Sequence, residues 1–216
     1  ANYAAATYPR PDHLLIGEPS GWQRYTLGYK GRLGVTLSSV RQAAHSSRDE
    51  ASASERALDA YALLRDWVAA DNQGADGLFQ RLQLALIAID SASDGLTESC
   101  RASASLRIPP RWTAAQLLNE IAALQWPAGV TPAFTQPLDA HRASNRSELA
   151  RAFRVAIRKE GGNPTPSLKT GTSDMNVVAP SWSVPMLAYG PGDSKLDHTP
   201  NEQLPLAEFL TCCRVL

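Results

Sequence analysis

Cysteine is scarce in this 216-residue chain, and Cys100, Cys212 and Cys213 have no spacing that a disulfide framework or a zinc ribbon uses. An odd count without a Cys-x-x-Cys pair excludes both and favours a reducing compartment, so the expected location is the cytoplasm. Net charge is missing as well. The 21 Lys+Arg balance 21 Asp+Glu at a pI near 7.1, which removes the bulk attraction to nucleic acid. No apolar run approaches the ~20 residues of a membrane span. The first residues, Ala1–Tyr8, contain no initiator Met, basic leader or signal-peptide core. Histidines are few (His13, His45, His141, His198), and no two stand at i, i+4, so a local histidine-rich metal motif is excluded. What is present is a globular composition, 44% hydrophobic and 19% charged, long enough for one large domain or two modest ones. Small molecules or other proteins are the expected partners.

Two periodicities alternate along the chain. Leu33, Val35 and Leu37 alternate with small or polar residues and predict a half-buried strand. From Ser54 to Ala70, Ala57, Leu58, Tyr61, Leu64, Trp67 and Val68 share a helical face, ended by Asn72-Gln73-Gly74. Leu82, Leu84 and Leu86 predict a second strand, Asp94-Gly95 a turn, and Ala102 to Ile108 a third strand. Thr113 caps a second helix carrying Leu117, Leu118, Ile121 and Leu124, and Val130–Thr135 is a fourth strand despite Pro132. Strand, helix, strand, strand, helix, strand is the split βαβ pattern: an α+β unit with a four-stranded sheet and two helices on one face. The remaining pieces predict an α/β layer interrupted by that unit. They are a strand in 13–19, a helix opened by Ser147, a strand at Ser167–Thr170, a fully buried strand in Val184–Tyr189 and a closing helix over Leu206–Val215.

Few residues could carry chemistry. Leu14-Leu15-Ile16-Gly17-Glu18-Pro19 puts a carboxylate at the carboxyl end of a strand, where open α/β sheets bind ligands. A salt-bridged turn glutamate reads equally from the same residues. Arg107 shares its strand face with Ser103 and Ser105, where a guanidinium can grip a carboxylate or simply face water. Thr170-Gly171-Thr172-Ser173-Asp174 could hold an anion on backbone N–H groups, or be a turn capped by Ser173. The four histidines, taken singly, read as structural or solvated.

In order, Ile16-Gly17-Glu18-Pro19-Ser20, Gly28-Tyr29-Lys30-Gly31-Arg32-Leu33, Ala44-His45-Ser46-Ser47, Ser105-Leu106-Arg107-Ile108-Pro109-Pro110, Gly171-Thr172-Ser173-Asp174 and Leu196-Asp197-His198-Thr199-Pro200-Asn201-Glu202 span nearly the whole chain. Together they resemble the zinc-dependent aminoacylase and carboxypeptidase family, which includes acetylornithine deacetylase and succinyl-diaminopimelate desuccinylase. Gly-Glu-Pro-Ser-Gly-Trp and Thr-Gly-Thr-Ser-Asp-Met-Asn look most like a branch that releases lysine or ornithine from an amino-group carrier protein, or deacetylates them. The resemblance implies an α/β catalytic domain, present in part as residues 1–28 and 137–216, with an inserted α+β lid and dimerisation domain over 29–136. It implies two zinc ions (cobalt as a substitute), Glu18 a ligand of one and His198 of the other. It further implies that His45 stabilises the tetrahedral oxyanion, in this family usually across a dimer. Arg107 would hold the substrate carboxylate, with Gly171, Thr172, Ser173 and Asp174 lining the pocket. The implied reaction is metal-assisted amide hydrolysis with a glutamate as general base.

The chain departs from that pattern upstream. The family's His-x-Asp segment, bridging aspartate and Glu-Glu pair have no counterpart in residues 1–17, and Glu98 stands near the position of a familiar lid asparagine. The expectation is therefore the back portion of an enzyme, inactive alone unless a second chain supplies the rest. The competing reading is a non-catalytic module that dimerises or docks the carrier protein. A small-molecule or carrier-linked substrate and a homodimer through the lid are expected as partners, with no nucleic acid and no membrane.

Overall fold

A computed structural model describes residues 1–43, 45 and 50–216. The chain opens with α1 (Asn2–Thr7), β1 (Leu14–Ile16) and β2 (Arg24–Tyr29), passes through β3 (Gly31–Gln42), α2 (Ala53–Asp71), β4 (Gln83–Ser93), β5 (Thr97–Ile108), α3 (Ala114–Ala122) and β6 (Val130–Leu138), and closes with β7 (His141–Arg142), α4 (Glu148–Lys159), β8 (Thr165–Lys169), α5 (Asp174–Val178), β9 (Met186–Ala188) and α6 (Leu206–Val215). Two units result: Gly31–Ala140 in the middle, and an outer unit of Ala1–Lys30 with His141–Leu216.

The middle unit is an antiparallel sheet in the order β4-β5-β3-β6. Alternation decides its faces. Leu33, Val35 and Leu37 are buried in one core with Ala57, Leu64, Leu106, Ile108, Leu117 and Ile121, so the helices cover that side. Pro132 is accommodated because β6 is an edge strand, where a missing N–H leaves no ladder bond unmade. Ser52 opens α2 with a capping box to Glu55, and Thr113 opens α3 with one to Gln116. Helix α2 buries Ala53, Ala57, Ala60, Leu64 and Val68, whereas Leu58 is 44% exposed. The buried stripe is thus centred one residue away from the face that the sequence pattern suggests, with alanines against the sheet.

The outer unit carries a mixed sheet, β1-β9-β2-β7, with β8 parallel to β2. Strand β9 lies parallel to β1 and antiparallel to β2, and all three of its residues are buried, as its unbroken apolar run requires. Strand β2, not marked by the sequence pattern, buries Tyr25, Thr26, Leu27, Gly28 and Tyr29 in succession; a strand buried on both faces has no period of two to betray it. Ser147 caps α4, whose buried face is Ala150, Phe153 and Ile157, while Ala152 is exposed.

Leu64→Ala is expected to cost about 2–5 kcal/mol through the cavity it leaves, and Leu58→Ala less than about 1 kcal/mol. Urea unfolding of both variants checks the stripe, and equal losses would refute it.

Candidate functional site

Glu18 is the first residue beyond Gly17 at the carboxyl end of β1, and its turn is held from several sides. Gly190 follows β9 and lies so close that an added Cβ would stand 2.9 Å from the Glu18 carbonyl oxygen, so glycine is required there by contact. Ser20 N donates to Gly190 O at 2.9 Å, and Gly190 N donates to Ser20 Oγ at 3.2 Å. Lys169, the last residue of β8, donates from Nζ to Pro19 O. Glu208 of α6 accepts from Trp22 N at 3.0 Å and Gly192 N at 3.3 Å, tying the two loops that flank the turn.

The charges around this turn define the site. Burial raises the Glu18 carboxyl above its ordinary range; Lys169 opposes that, while Asp197 and Asp174 reinforce it. Lys169 is itself lowered by burial and held up by Glu18, Asp197 and Asp193. Its Nζ sits 5.9 Å from the Tyr29 ring centroid, a cation–π distance, and the Tyr29 phenol is pushed up by burial and then by Glu18. Segments far apart in sequence thus act electrostatically on Glu18: the Lys169 ammonium lowers its pKa, and the Asp197 and Asp174 carboxylates raise it. Lys169 and Tyr29 escaped sequence reasoning. The only signal for Lys169 was its place at the end of a strand directly before Thr170-Gly171.

The other expected residues are placed as follows. His198 is exposed in a loop of local turns, at φ 60°, with its N–H donating to Glu202 Oε2 at 3.3 Å. Its neighbour Asp197 belongs to the charge cluster. In the turn from Gly171 to Asp174, Ser173 caps α5: Met175 N donates to Ser173 Oγ at 3.2 Å and Ser173 N to Asn176 Oδ1 at 2.9 Å. Ser173 is thus the N-cap that the capped-turn reading expects. Asn176 is buried and also donates to Lys30 O at 3.2 Å, fixing α5 to the end of β2. Arg107 and His45 lie in the middle unit. Arg107 is half-buried on β5, directly opposite Arg32 of β3 and Gln83 of β4. His45 is exposed, and its neighbours Ala44, Ser46 and Ser47 lie outside the described residues.

Carboxylate and imidazole are donors that zinc takes. Glu18, Asp197 and Asp174 concentrate negative charge in a half-buried place, which a cation would relieve. Among the described residues, however, no three His, Cys, Asp or Glu side chains converge as a metal-holding group. The residues present fit part of a metal site.

The model for peptidase family M20/M25/M40 matches residues 2–216. A [LysW]-lysine hydrolase of Deinococcus radiodurans is 45% identical over 219 residues, covering 100% of this chain and 60% of that protein. The chain therefore spans about three fifths of that relative's length. Among solved structures, the M20 family metallo-carboxypeptidase Sso-CP2 from Sulfolobus solfataricus superimposes with a TM-score of 0.68 at 14% identity, over 99% of this chain and 64% of that one. The di-peptidase Dug1p from Saccharomyces cerevisiae gives 0.68 at 11% identity, over 94% and 57%. These two likenesses show the fold.

Lys169→Met removes a charged hydrogen bond and the cation beside Glu18. It is expected to lower stability by about 1–3 kcal/mol in urea unfolding, against less than about 0.5 kcal/mol for exposed Lys195→Met. His141, paired with Tyr29 across β2 and β7, has a buried Nε2 without a hydrogen-bond partner, and burial lowers its pKa below 6.5. The unfolded chain then binds more protons below pH 6.5, so this contribution is complete above 6.5 and declines as pH falls through the lowered value. His141→Gln is expected to reduce the drop in urea midpoint between pH 7.5 and 5.5. An unchanged drop would exclude His141 as its source.

Proposed function

Because the chain belongs to peptidase family M20/M25/M40, we propose that it is the lid and the carboxyl-terminal part of the catalytic domain of a zinc-dependent amidohydrolase. Its substrate is an amide on the α-amino group of lysine or ornithine, either acetylated or linked to an amino-group carrier protein, in lysine or arginine biosynthesis. The observation that carries this reading is the clamped Glu18 turn, whose carboxylate shares its surroundings with Asp197 and Asp174. The kinship of the whole chain to a [LysW]-lysine hydrolase supports the substrate class.

Glu18 and His198 would each hold one zinc, which cobalt could replace. When bound, the metal pair supplies Lewis acidity and a nucleophile at neutral pH. Lys169 keeps the Glu18 turn closed and favours the ionised carboxylate against the effect of burial. Arg107 takes the substrate carboxylate through a two-pronged guanidinium contact. His45 donates to the oxyanion of the tetrahedral intermediate, in the active site of a second subunit. Gly171 to Asp174 line the pocket, and the glutamate that moves the proton is outside this chain. A homodimer through the middle unit is supported by β4, an edge strand that exposes Ile87 at 66% and Ile89 at 47%. No helix among the described residues is long and apolar enough to cross a membrane, and the reading places the protein in the cytoplasm. The alternative, a non-catalytic dimerisation or carrier-docking module, draws on the want of a three-ligand metal group among the described residues.

The 216-residue chain is expected to give no turnover with zinc and N-acetyl-lysine or carrier-linked lysine or ornithine. The protein expressed with whatever its reading frame encodes upstream of Ala1 is expected to release the amino acid, measured by chromatography. In it, Glu18→Gln and His198→Ala should each lower kcat by about 100-fold or more. Turnover by the short chain would overturn its incompleteness. Failure of the longer protein on every substrate would leave the docking-module reading standing.

A further inference from the structure

Arg41 stands where the pattern of β3 calls for an apolar residue. Alternation puts it on the face of Leu33, Val35 and Leu37, which the helices cover, at the end of the sheet where α2 begins. A cation there has the wrong sign for the N-terminal end of a helix dipole. Its side chain is nevertheless only 9% exposed, and a cation so far out of water needs partners.

Two stretches of chain take up its guanidinium. Nε lies 3.0 Å from Oε1 of Glu98, directly opposite on β5, and donates to Gln42 O at 3.1 Å. Nη1 donates to Glu50 O at 3.2 Å and to Ala51 O at 2.6 Å, and Nη2 lies 3.4 Å from the Glu50 carboxylate. Gln42 is where the chain leaves β3, and Glu50 and Ala51 are where it returns, directly before the Ser52 cap of α2. Glu98 doubles the tie by accepting from Ala53 N at 3.0 Å. Ala43 N donates to Leu96 O at 2.8 Å, carrying the pairing of β3 and β5 one residue further. The two ends of the segment are thus fixed to one another and to the sheet, and His45 lies between them in the chain. A planar fork with donors on both edges reaches a carboxylate and the carbonyls of both ends at once, which an ammonium cannot do.

We propose that Arg41, backed by Glu98, is a positioning residue for His45: by closing the two ends of the segment that carries the imidazole, it sets where that imidazole stands. The inference rests on the amidohydrolase reading for its catalytic meaning, in which His45 donates to the oxyanion. A donor aimed at a developing charge loses much of its effect when displaced by about 1 Å. Hydrolysis therefore depends on a guanidinium that never touches the substrate. A clasp serving stability alone would leave the histidine indifferent to which side chain closes it.

The first arm of the test needs neither metal nor turnover. In the 216-residue chain the His45 imidazole resonances, assigned by their loss in His45→Gln, are followed by NMR. Arg41→Met is expected to move them, and Arg41→Lys, which keeps the charge without the fork, to move them less. Thermal unfolding shows which variants fold, and Arg41→Lys decides if Arg41→Met does not. Arg111→Met removes a guanidinium that ties Asp71 within the same unit, so it should lower Tm comparably and leave the His45 resonances in place. The second arm uses the longer protein. There Arg41→Met should lower kcat about 10-fold or more with KM within about 2-fold, and in a His45→Ala background it should change kcat little, because both act through one imidazole. His45 resonances that stay in place, or a kcat loss undiminished in His45→Ala, would overturn the proposal. Resonances that stay in place with hydrolysis intact sink the positioning role alone; resonances that move in a protein that hydrolyses none of the substrates sink the amidohydrolase reading alone.

Discussion

Strand β9 is only three residues long, yet the candidate site depends on its being seated between β1 and β2. Its parallel pairing with β1 matches Leu14, Leu15 and Ile16 to Met186, Leu187 and Ala188, so both strands end at the same level. That level is where Glu18 leaves one strand and Gly190 leaves the other. The approach of the two backbones admits no side chain at Gly190, and the hydrogen bonds through Ser20 close the remaining space. Once the two ends are joined, β2 brings Tyr29 and β8 brings Lys169 to the same margin. A carboxylate in that place loses hydration from the backbone side, which is the physical reason its proton affinity rises.

The middle unit follows a different economy. Its sheet is long, regular and covered on one side by alanine-rich helix faces, so the fold asks little of the opposite face. Small residues fill most of it, with Asp90 opposite Arg101 in one row and Arg32 opposite Arg107 in another.

Much of this architecture was legible in the sequence. Alternation in Leu33–Leu37, the helical stripe from Ala57 to Val68, the Asp94-Gly95 turn and the caps at Thr113 and Ser147 are local features, and each fixes an element near the place where it is found. Glu18, Arg107 and the turn at Gly171 could be singled out because strand parity and turn chemistry are also local. Strand β2 was hidden because burial on both faces erases periodicity. Lys169 and Tyr29 were hidden because their roles arise from pairings between β2, β8 and β9, which no spacing along the chain encodes. The position of Ala60 in place of Leu58 on the buried face of α2 turns on a rotation of the helix, and the sheet sets that rotation.

His198 stands in the left-handed region at φ 60°, where glycine is at ease and a residue with a Cβ is not. The loop would therefore gain stability from glycine at that position, at the sacrifice of the imidazole. An imidazole at this position therefore costs the loop some backbone ease that glycine would restore.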